Sequence, residues 1–256
     1  MEKAHPACDV CRGIEFSKYR GGNAAGRELL RCLVCGVVAA SPGLGSDRAA
    51  ASGSEEGRES GEERRDPRMD RRRAAAVMRL IEGGRVLEMG CGPGHFLSAL
   101  DPVRFKTTGL PGAPGSAALP QGHEESFDIV ALFGGLGQAA SPRATMMEVC
   151  RLLKPGGLAV IETPCVSSLT ARLCGTRWEP LANPRAAWFF SGASLDRLAV
   201  TCGMVPFSSR TAFLTSWPQP GHLFHVARKS SETVRGELFA GVAAGTVRTQ
   251  PIGATR

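Results

Sequence analysis

Between residues 70 and 228 the hydrophobic pattern switches repeatedly between a helical and an extended period. Ala74, Val77, Met78, Leu80 and Ile81 recur at helical spacing, so Asp70 to Glu82 is expected to form a helix, capped by Asp70 and stopped by Gly83-Gly84. Arg85 to Met89 follows as a strand, His95 to Leu100 as a short helix and Phe105 to Leu110 as a second strand. Phe127 to Phe133 is an almost continuous apolar run, the mark of a parallel strand buried on both faces. Ser141-Pro142, a cap followed by proline at the first turn, opens a helix running to Leu153. Lys154-Pro155-Gly156-Gly157 breaks it, and Leu158 to Glu162 is another buried strand. Ser194 to Thr201 is a helix ended by Gly203, and Val205–Phe213 with His222–Ala227 should form a terminal antiparallel hairpin. Strands alternating with helices imply an α/β fold: a doubly wound, mostly parallel Rossmann-like sheet, with ligands beyond the C-terminal strand ends.

The pattern fails in three places, and these set the expected domain limits. Residues 42–69 are rich in Gly, Ser, Glu and Arg without periodicity, so they are expected to be a flexible linker between an N-terminal unit, 1–41, and the α/β domain, 70–228. Pro111 to Gly122 carries no element signal. The tail, 229–256, is Gly-, Thr- and Arg-rich and is expected to be disordered.

Cysteine spacing changes the picture of the N-terminal unit. Cys8-Asp9-Val10-Cys11 and Cys32-Leu33-Val34-Cys35 are two Cys-x-x-Cys knuckles separated by twenty residues. That spacing fits a four-thiolate zinc ribbon, with Phe16 to Arg31 as a hairpin between the knuckles. Four thiolates leave no open coordination position, so the zinc is structural. Nine cysteines, four of them in these two knuckles, and an N-terminus without an apolar signal region point to a reducing, cytoplasmic setting. No apolar run reaches the roughly 18 residues of a membrane span.

The formal charge of +7 invites a nucleic-acid reading but does not carry one. A thiolate-bound zinc lowers it to roughly +5. The basic run Arg58 to Arg73 is interleaved with Glu59, Glu62, Glu63, Asp66 and Asp70, the usual pattern of a solvated face. Aromatic residues make up only 6%, too few to suggest a base-stacking platform.

The candidate chemistry lies at Val86-Leu87-Glu88-Met89-Gly90-Cys91-Gly92-Pro93-Gly94-His95. A strand runs into an acid, then three alternate glycines, then a helix start. Glycines allow the tight turn and let a ligand lie against backbone N–H groups. This Glu-x-Gly-x-Gly-x-Gly turn resembles the first motif of the class I S-adenosylmethionine (SAM)-dependent methyltransferases. Ser126 to Val130 resembles their fourth strand, and Leu152-Leu153-Lys154-Pro155-Gly156-Gly157 with Ile161 to Pro164 their fifth. A dinucleotide-binding turn would not predict that second segment. The ribbon, Trp178, and Pro184 to Leu195 containing Phe189-Phe190-Ser191 resemble a bacterial subgroup that modifies sugars, polysaccharides and other small molecules.

The resemblance implies that Gly90, Cys91, Gly92 and Gly94 approach the methionine part of SAM, that Glu88 holds its ammonium, and that Phe133 and Gly134 also line the cofactor site. It implies a small-molecule or sugar-like acceptor, a polysaccharide precursor among them; the charge pattern and low aromatic content argue against nucleic acid. Three departures accompany it. The ribose-binding acid is replaced by Pro111, the 111–126 interval is short with Gly115-Ser116 near the place of the adenine-contacting acid, and the family's Leu-Glu-His is Leu136-Gly137-Gln138. The His of its Pro-x-His-Leu segment is Ala186. These departures motivate an alternative, a catalytically eroded binding or scaffold protein. A further alternative, an RNA methyltransferase gripping phosphate through the ribbon and Arg58–Arg73, predicts steep salt dependence.

Several residues carry both a chemical and a plain structural reading. His95 and His123-Glu124-Glu125 could reach the cleft or be polar surface. Trp178, Trp188, Phe189 and Phe190 could wall an acceptor pocket or pack a core. His222 and His225 read as structural, and Cys91, Cys150, Cys165, Cys174 and Cys202 as small buried hydrophobes. No nucleophile–base pair is legible.

Overall fold

The computed structural model describes residues 7–20, 22, 26–41, 66–90, 94–112, 122–211 and 221–230. Three short strands come first, β1 (Phe16–Lys18), β2 (Leu29–Cys32) and β3 (Val38–Ala40), paired antiparallel in sequence order. Helix α1 (Pro67–Leu80) follows, then β4 (Gly84–Met89), α2 (His95–Ser98), β5 (Phe105–Leu110) and β6 (Phe127–Phe133). A 3-10 turn at Gly135–Gln138 leads to α3 (Pro142–Leu152) and β7 (Leu153–Pro164). The chain then forms α4 (Leu169–Cys174), β8 (Trp188–Phe189), α5 (Gly192–Thr201), β9 (Met204–Thr211) and β10 (His222–Lys229).

The larger sheet has the order β5-β4-β6-β7-β10-β9. β5, β4, β6 and β7 are parallel, and β10 and β9 close the sheet antiparallel, so the expected Rossmann-like sheet with a terminal hairpin is present. Both faces are covered, as continuous apolar strands require. One buried cluster joins Val86, Ile129, Val160 and Val226 to Ala74 and Val77 of α1 and Phe96 of α2. The opposite cluster joins Leu87, Leu132 and Ile161 to Met146 and Val149 of α3 and Leu195 and Leu198 of α5.

The N-terminal strands share that second cluster. Cys8, Val10, Leu30, Cys32, Val37 and Ala39 are buried in it. β8 adds itself to β3 as the fourth strand of the small sheet, so two widely separated parts of the chain build one sheet.

Several element limits move, each for a local reason. α1 starts before Asp70, because Asp66 accepts the Arg68 N–H at 2.9 Å and Pro67 presets the first helical φ. α1 ends at Leu80, before Gly83-Gly84, and α2 stops at Ser98. α5 is capped by Ser191, which exchanges hydrogen bonds with Ser194, so the helix begins ahead of the expected Ser194. α3 ends at Leu152, ahead of Lys154 to Gly157, and those residues belong to the strand, which already starts at Leu153. Pairing jumps from Phe127 opposite Leu153 to Ile129 opposite Leu158, so the intervening residues bulge from the ladder. The linker expected over 42–69 is corrected at its end, where Pro67 to Met69 already belong to α1; its part 42–65, the absence of an element in 113–121 and the tail reading beyond 230 lie outside the described residues. Among the described residues no helix is long and apolar enough to cross a membrane.

Candidate functional site

Two chemically loaded places emerge, one in the cluster on the α3 and α5 face of the large sheet and one at the C-terminal ends of its parallel strands. The first is the cysteine cluster. The Sγ atoms of Cys8, Cys11, Cys32 and Cys35 all lie within 4.8 Å of one another, a set that could hold a metal ion. Cys8 and Cys35 are 3.7 Å apart and Cys11 and Cys32 3.6 Å. Four thiols this close cannot all ionise by themselves. The Cys35 thiol, donating to Cys8, holds the Cys8 pKa down to about 5. Burial pushes Cys11 up to about 11, and the bond to Cys8 together with burial raises Cys35 as well. A cation at their centre is the species that lets all four become thiolates.

The second place is the C-terminal edge of the parallel strands, where β4 sits between β5 on one side and β6 on the other. Glu88, next to last on β4, is 1% exposed. Gly90 follows with φ +75°, its N–H donating to the Leu110 carbonyl at 2.9 Å. Gly94 has φ +79° and stands at the start of α2. Both conformations are sterically costly for residues with a Cβ. A Cβ placed on Gly94 would meet nothing within 4 Å, so open space lies before it. Cys91 and Gly92 fall outside the described residues.

On the neighbouring strand end, Phe133 is held between two groups. The Phe96 ring meets it edge-on at 4.8 Å, and the Arg73 guanidinium lies 4.8 Å from its centroid. Gly134, at φ +82°, also faces open space, and its N–H donates to the Glu162 carbonyl at 2.8 Å. Glu162 is the residue opposite Phe133 on β7. Its carboxylate accepts from Arg73 Nε at 2.8 Å and Nη2 at 3.1 Å, while Arg73 Nη1 donates to Asp70 at 2.7 Å. The sequence reading missed this network. It took Asp70 for a cap and Arg73 for part of a solvated charge run, whereas both are buried. The signal was there: Met69, Arg73 and Val77 share one stripe at four-residue spacing, which turns Arg73 inward.

The remaining candidates sort cleanly. His95 is exposed at the start of α2. The possibility that His123-Glu124-Glu125 reaches the cleft is corrected. These residues precede β6 and so lie at the opposite sheet edge, where Glu124 pairs with Arg151 and Glu125 with Lys229. Trp178, Trp188, Phe189 and Phe190 are all buried, and the Trp188 indole N–H donates to the Ala139 carbonyl at 2.9 Å. They form core rather than a pocket wall. His225 is fully buried and its Nε2 lies 2.9 Å from Asp196 on α5. His222 opens β10 opposite Pro164. Cys150, Cys165 and Cys202 are buried as expected, with burial raising the Cys202 pKa to about 11, but Cys174 is exposed.

The departures from the family pattern have structural counterparts. Pro111 follows β5 directly and is exposed. Gly137 cannot carry a side chain without adjustment, because a Cβ there would stand 3.1 Å from the Trp188 carbonyl oxygen. The Ala186 carbonyl accepts from Arg27 Nη2 at 3.0 Å, so this position serves the contact with β1–β3.

Residues 62–204, more than half of the chain, match the family model described as "Methyltransferase domain". Among solved structures, a SAM-dependent methyltransferase of Thermotoga maritima is similar at 20% identity and TM-score 0.47, over 64% of this chain and 89% of that one. An S-adenosylmethionine-dependent methyltransferase of Mesorhizobium loti is similar at 15% identity and TM-score 0.42, over 60% and 96%. The [4+2]-cyclase SpnF is similar at 15% identity and TM-score 0.45, over 62% and 80%. No curated protein matches the chain. The glycine turn at the end of β4, the strand order and the family match together place this chain in the class I SAM-dependent methyltransferases.

Proposed function

We propose that the protein transfers a methyl group from SAM to a small-molecule or sugar-like acceptor and that Cys8, Cys11, Cys32 and Cys35 hold a structural zinc. The observation that carries the first part is the backbone at the end of β4. Gly90 and Gly94 hold left-handed conformations beside a buried Glu88, and open space lies before both Gly94 and Gly134. Glu88 would hold the ammonium of the cofactor, Gly90, Cys91, Gly92 and Gly94 would approach its methionine part, and Phe133 and Gly134 would close the other side. Bound SAM supplies an electrophilic methyl on a sulfonium.

The chain's own contribution is positioning and exclusion of water, which can supply much of the rate of an in-line displacement. Phe133, 4% exposed and packed against Phe96 and Arg73, would back such a site from within the core, as an apolar wall behind Gly134. Glu162 is committed to two hydrogen bonds from Arg73, so it serves that wall rather than acting as a general base. For the zinc, the pairs at 3.6 and 3.7 Å fit a tetrahedron with Zn–S bonds of about 2.3 Å, whose edges measure about 3.8 Å.

One observation favours a second reading, a methyltransferase fold kept as a binding or scaffold protein. Pro111 offers no acceptor where the family's ribose-binding acid stands. Incubating the zinc-loaded protein with methyl-labelled SAM and panels of sugars, small amines and phenols, and RNA separates the readings. Label in a small molecule at a rate insensitive to salt supports the first. Label in RNA supports the phosphate-gripping alternative, and label in none, on folded protein that does not bind SAM, supports the scaffold.

A further inference from the structure

The two cysteine knuckles reach one segment of the methyltransferase domain from both of its ends. The second knuckle leads within three residues of Cys35 into β3, which pairs with β8 through Val38 opposite Phe189 and Ala39 opposite Trp188. The Ala40 N–H donates to the Ala187 carbonyl at 2.9 Å. From there the bonds continue: the Ala187 N–H donates to the Gly137 carbonyl at 2.9 Å, and the Trp188 indole to the Ala139 carbonyl at 2.9 Å. Gly137 and Ala139 belong to the turn that directly follows Phe133 and Gly134. The missing side chain at Gly137 is what lets β8 lie so close.

The first knuckle makes the other connection. Asp9, between Cys8 and Cys11, accepts from Ser141 Oγ at 3.1 and 3.0 Å and from the Arg143 N–H at 2.9 Å. These residues open α3, at the far end of the same turn. A negative side chain on the first N–H groups of a helix suits both its unsatisfied donors and its dipole. Leu136, in the middle of the segment, is buried in the same cluster as Cys8, Val10 and Cys32. An appendage that merely shared apolar surface would not need directional bonds at both ends of the stretch from Gly137 to Arg143.

We infer that the metal-bearing ribbon positions residues 134–141, and through them Phe133 and Gly134, so that metal occupancy on one face of the sheet sets cofactor affinity at its edge. Trp188, Gly137 and Asp9 are positioning residues in this account. The inference rests on the reading of Phe133 and Gly134 as cofactor contacts.

Two readouts on the full-length chain test it: amide hydrogen exchange, and calorimetric titration with S-adenosylhomocysteine. Chelating the zinc should speed exchange in 134–141 and 186–190 while β4, 84–89, stays protected, and should weaken S-adenosylhomocysteine about three- to tenfold, the worth of roughly one well-placed hydrogen bond. Trp188→Phe decides the matter if chelation unfolds the protein. It keeps the four thiols and an aromatic ring and removes only the donor to Ala139. It should retain full zinc, exchange faster at 134–141 and show the same loss of affinity. Unchanged exchange at 134–141 together with unchanged affinity in that variant overturns the inference. Absence of S-adenosylhomocysteine binding by the intact, zinc-loaded chain would defeat the cofactor reading instead, and exchange at 134–141 would still decide the ribbon's role.

Discussion

Arg73 on α1 meets Glu162 on β7 across 89 residues of sequence through two hydrogen bonds, 2.8 and 3.1 Å long, with both side chains almost sealed from water. Burial disfavours the Arg73 charge, but the Glu162 and Asp70 carboxylates outweigh it and hold its pKa above the ordinary guanidinium value. The pair also fixes Phe133, whose ring lies under the guanidinium. It ties the helix ahead of β4 to the strand that completes the candidate site.

Removing one partner of a buried pair strands the other charge. Arg73→Ala should therefore cost about 3–5 kcal/mol of unfolding free energy, and the double variant Arg73→Met/Glu162→Gln should recover part of that loss. Urea midpoints measure both. A single-variant loss under about 0.5 kcal/mol, the range of an ordinary surface change, would mean that the pair contributes nothing.

At the other sheet edge, Asp128 accepts from Lys154 Nζ at 2.8 Å and from the Arg85 N–H at 2.8 Å. Burial opposes its ionisation, and these two donors outweigh burial, so its pKa lies below the usual carboxylate value. A depressed folded-state pKa gives stability that is present above the unfolded value of about 3.9 and is lost as pH falls through the folded value. Lys154→Met should thus cost up to about 1 kcal/mol at pH 7, since the pair is partly exposed. The gap from wild type should close as pH falls below the usual carboxylate range and Asp128 becomes protonated. A gap independent of pH would contradict the pairing.

Gly134 combines a left-handed φ of +82° with open space before it. Gly134→Val should cost about 1–2 kcal/mol of stability for the backbone conformation. It should also weaken S-adenosylhomocysteine more than tenfold by filling the space the ligand needs. A variant that loses stability and keeps affinity would remove Gly134 from the cofactor site.

Cys11→Ser should abolish stoichiometric zinc binding, read by metal analysis after gel filtration, because three thiolates and a hydroxyl make a poorer ligand set. The wild type should bind one zinc per chain and release protons on loading, as thiols must ionise. Loading without proton release would place the metal elsewhere.

The strands were legible wherever apolar runs were long and locally bounded: β5 and β6 begin and end at the expected residues. The proline at the start of α3 was equally clear, since Ser141 caps it and accepts the Ala144 N–H at 3.0 Å. The four cysteines come together because knuckle spacing is a local property. What stayed hidden was what depends on distant partners. Arg73 looks like one more arginine in a basic run until β7 supplies Glu162. β8 is two residues long, too short for any periodicity, and gains its place only by pairing with β3. For the same reason Trp188 looked like a possible pocket wall, although its indole and its carbonyl oxygen are both turned to the turn after β6. Glycine at 137 read as a missing family acid, and the structure gives it a packing reason.

The most direct test of the central claim is calorimetric titration of the zinc-loaded protein with SAM and S-adenosylhomocysteine, alongside Glu88→Gln. The account predicts micromolar binding of both ligands by the wild type and at least tenfold weaker binding by the variant, because the buried carboxylate beside the glycine turn holds the ammonium. No binding up to millimolar ligand on folded protein, or equal affinity in the variant, would contradict it.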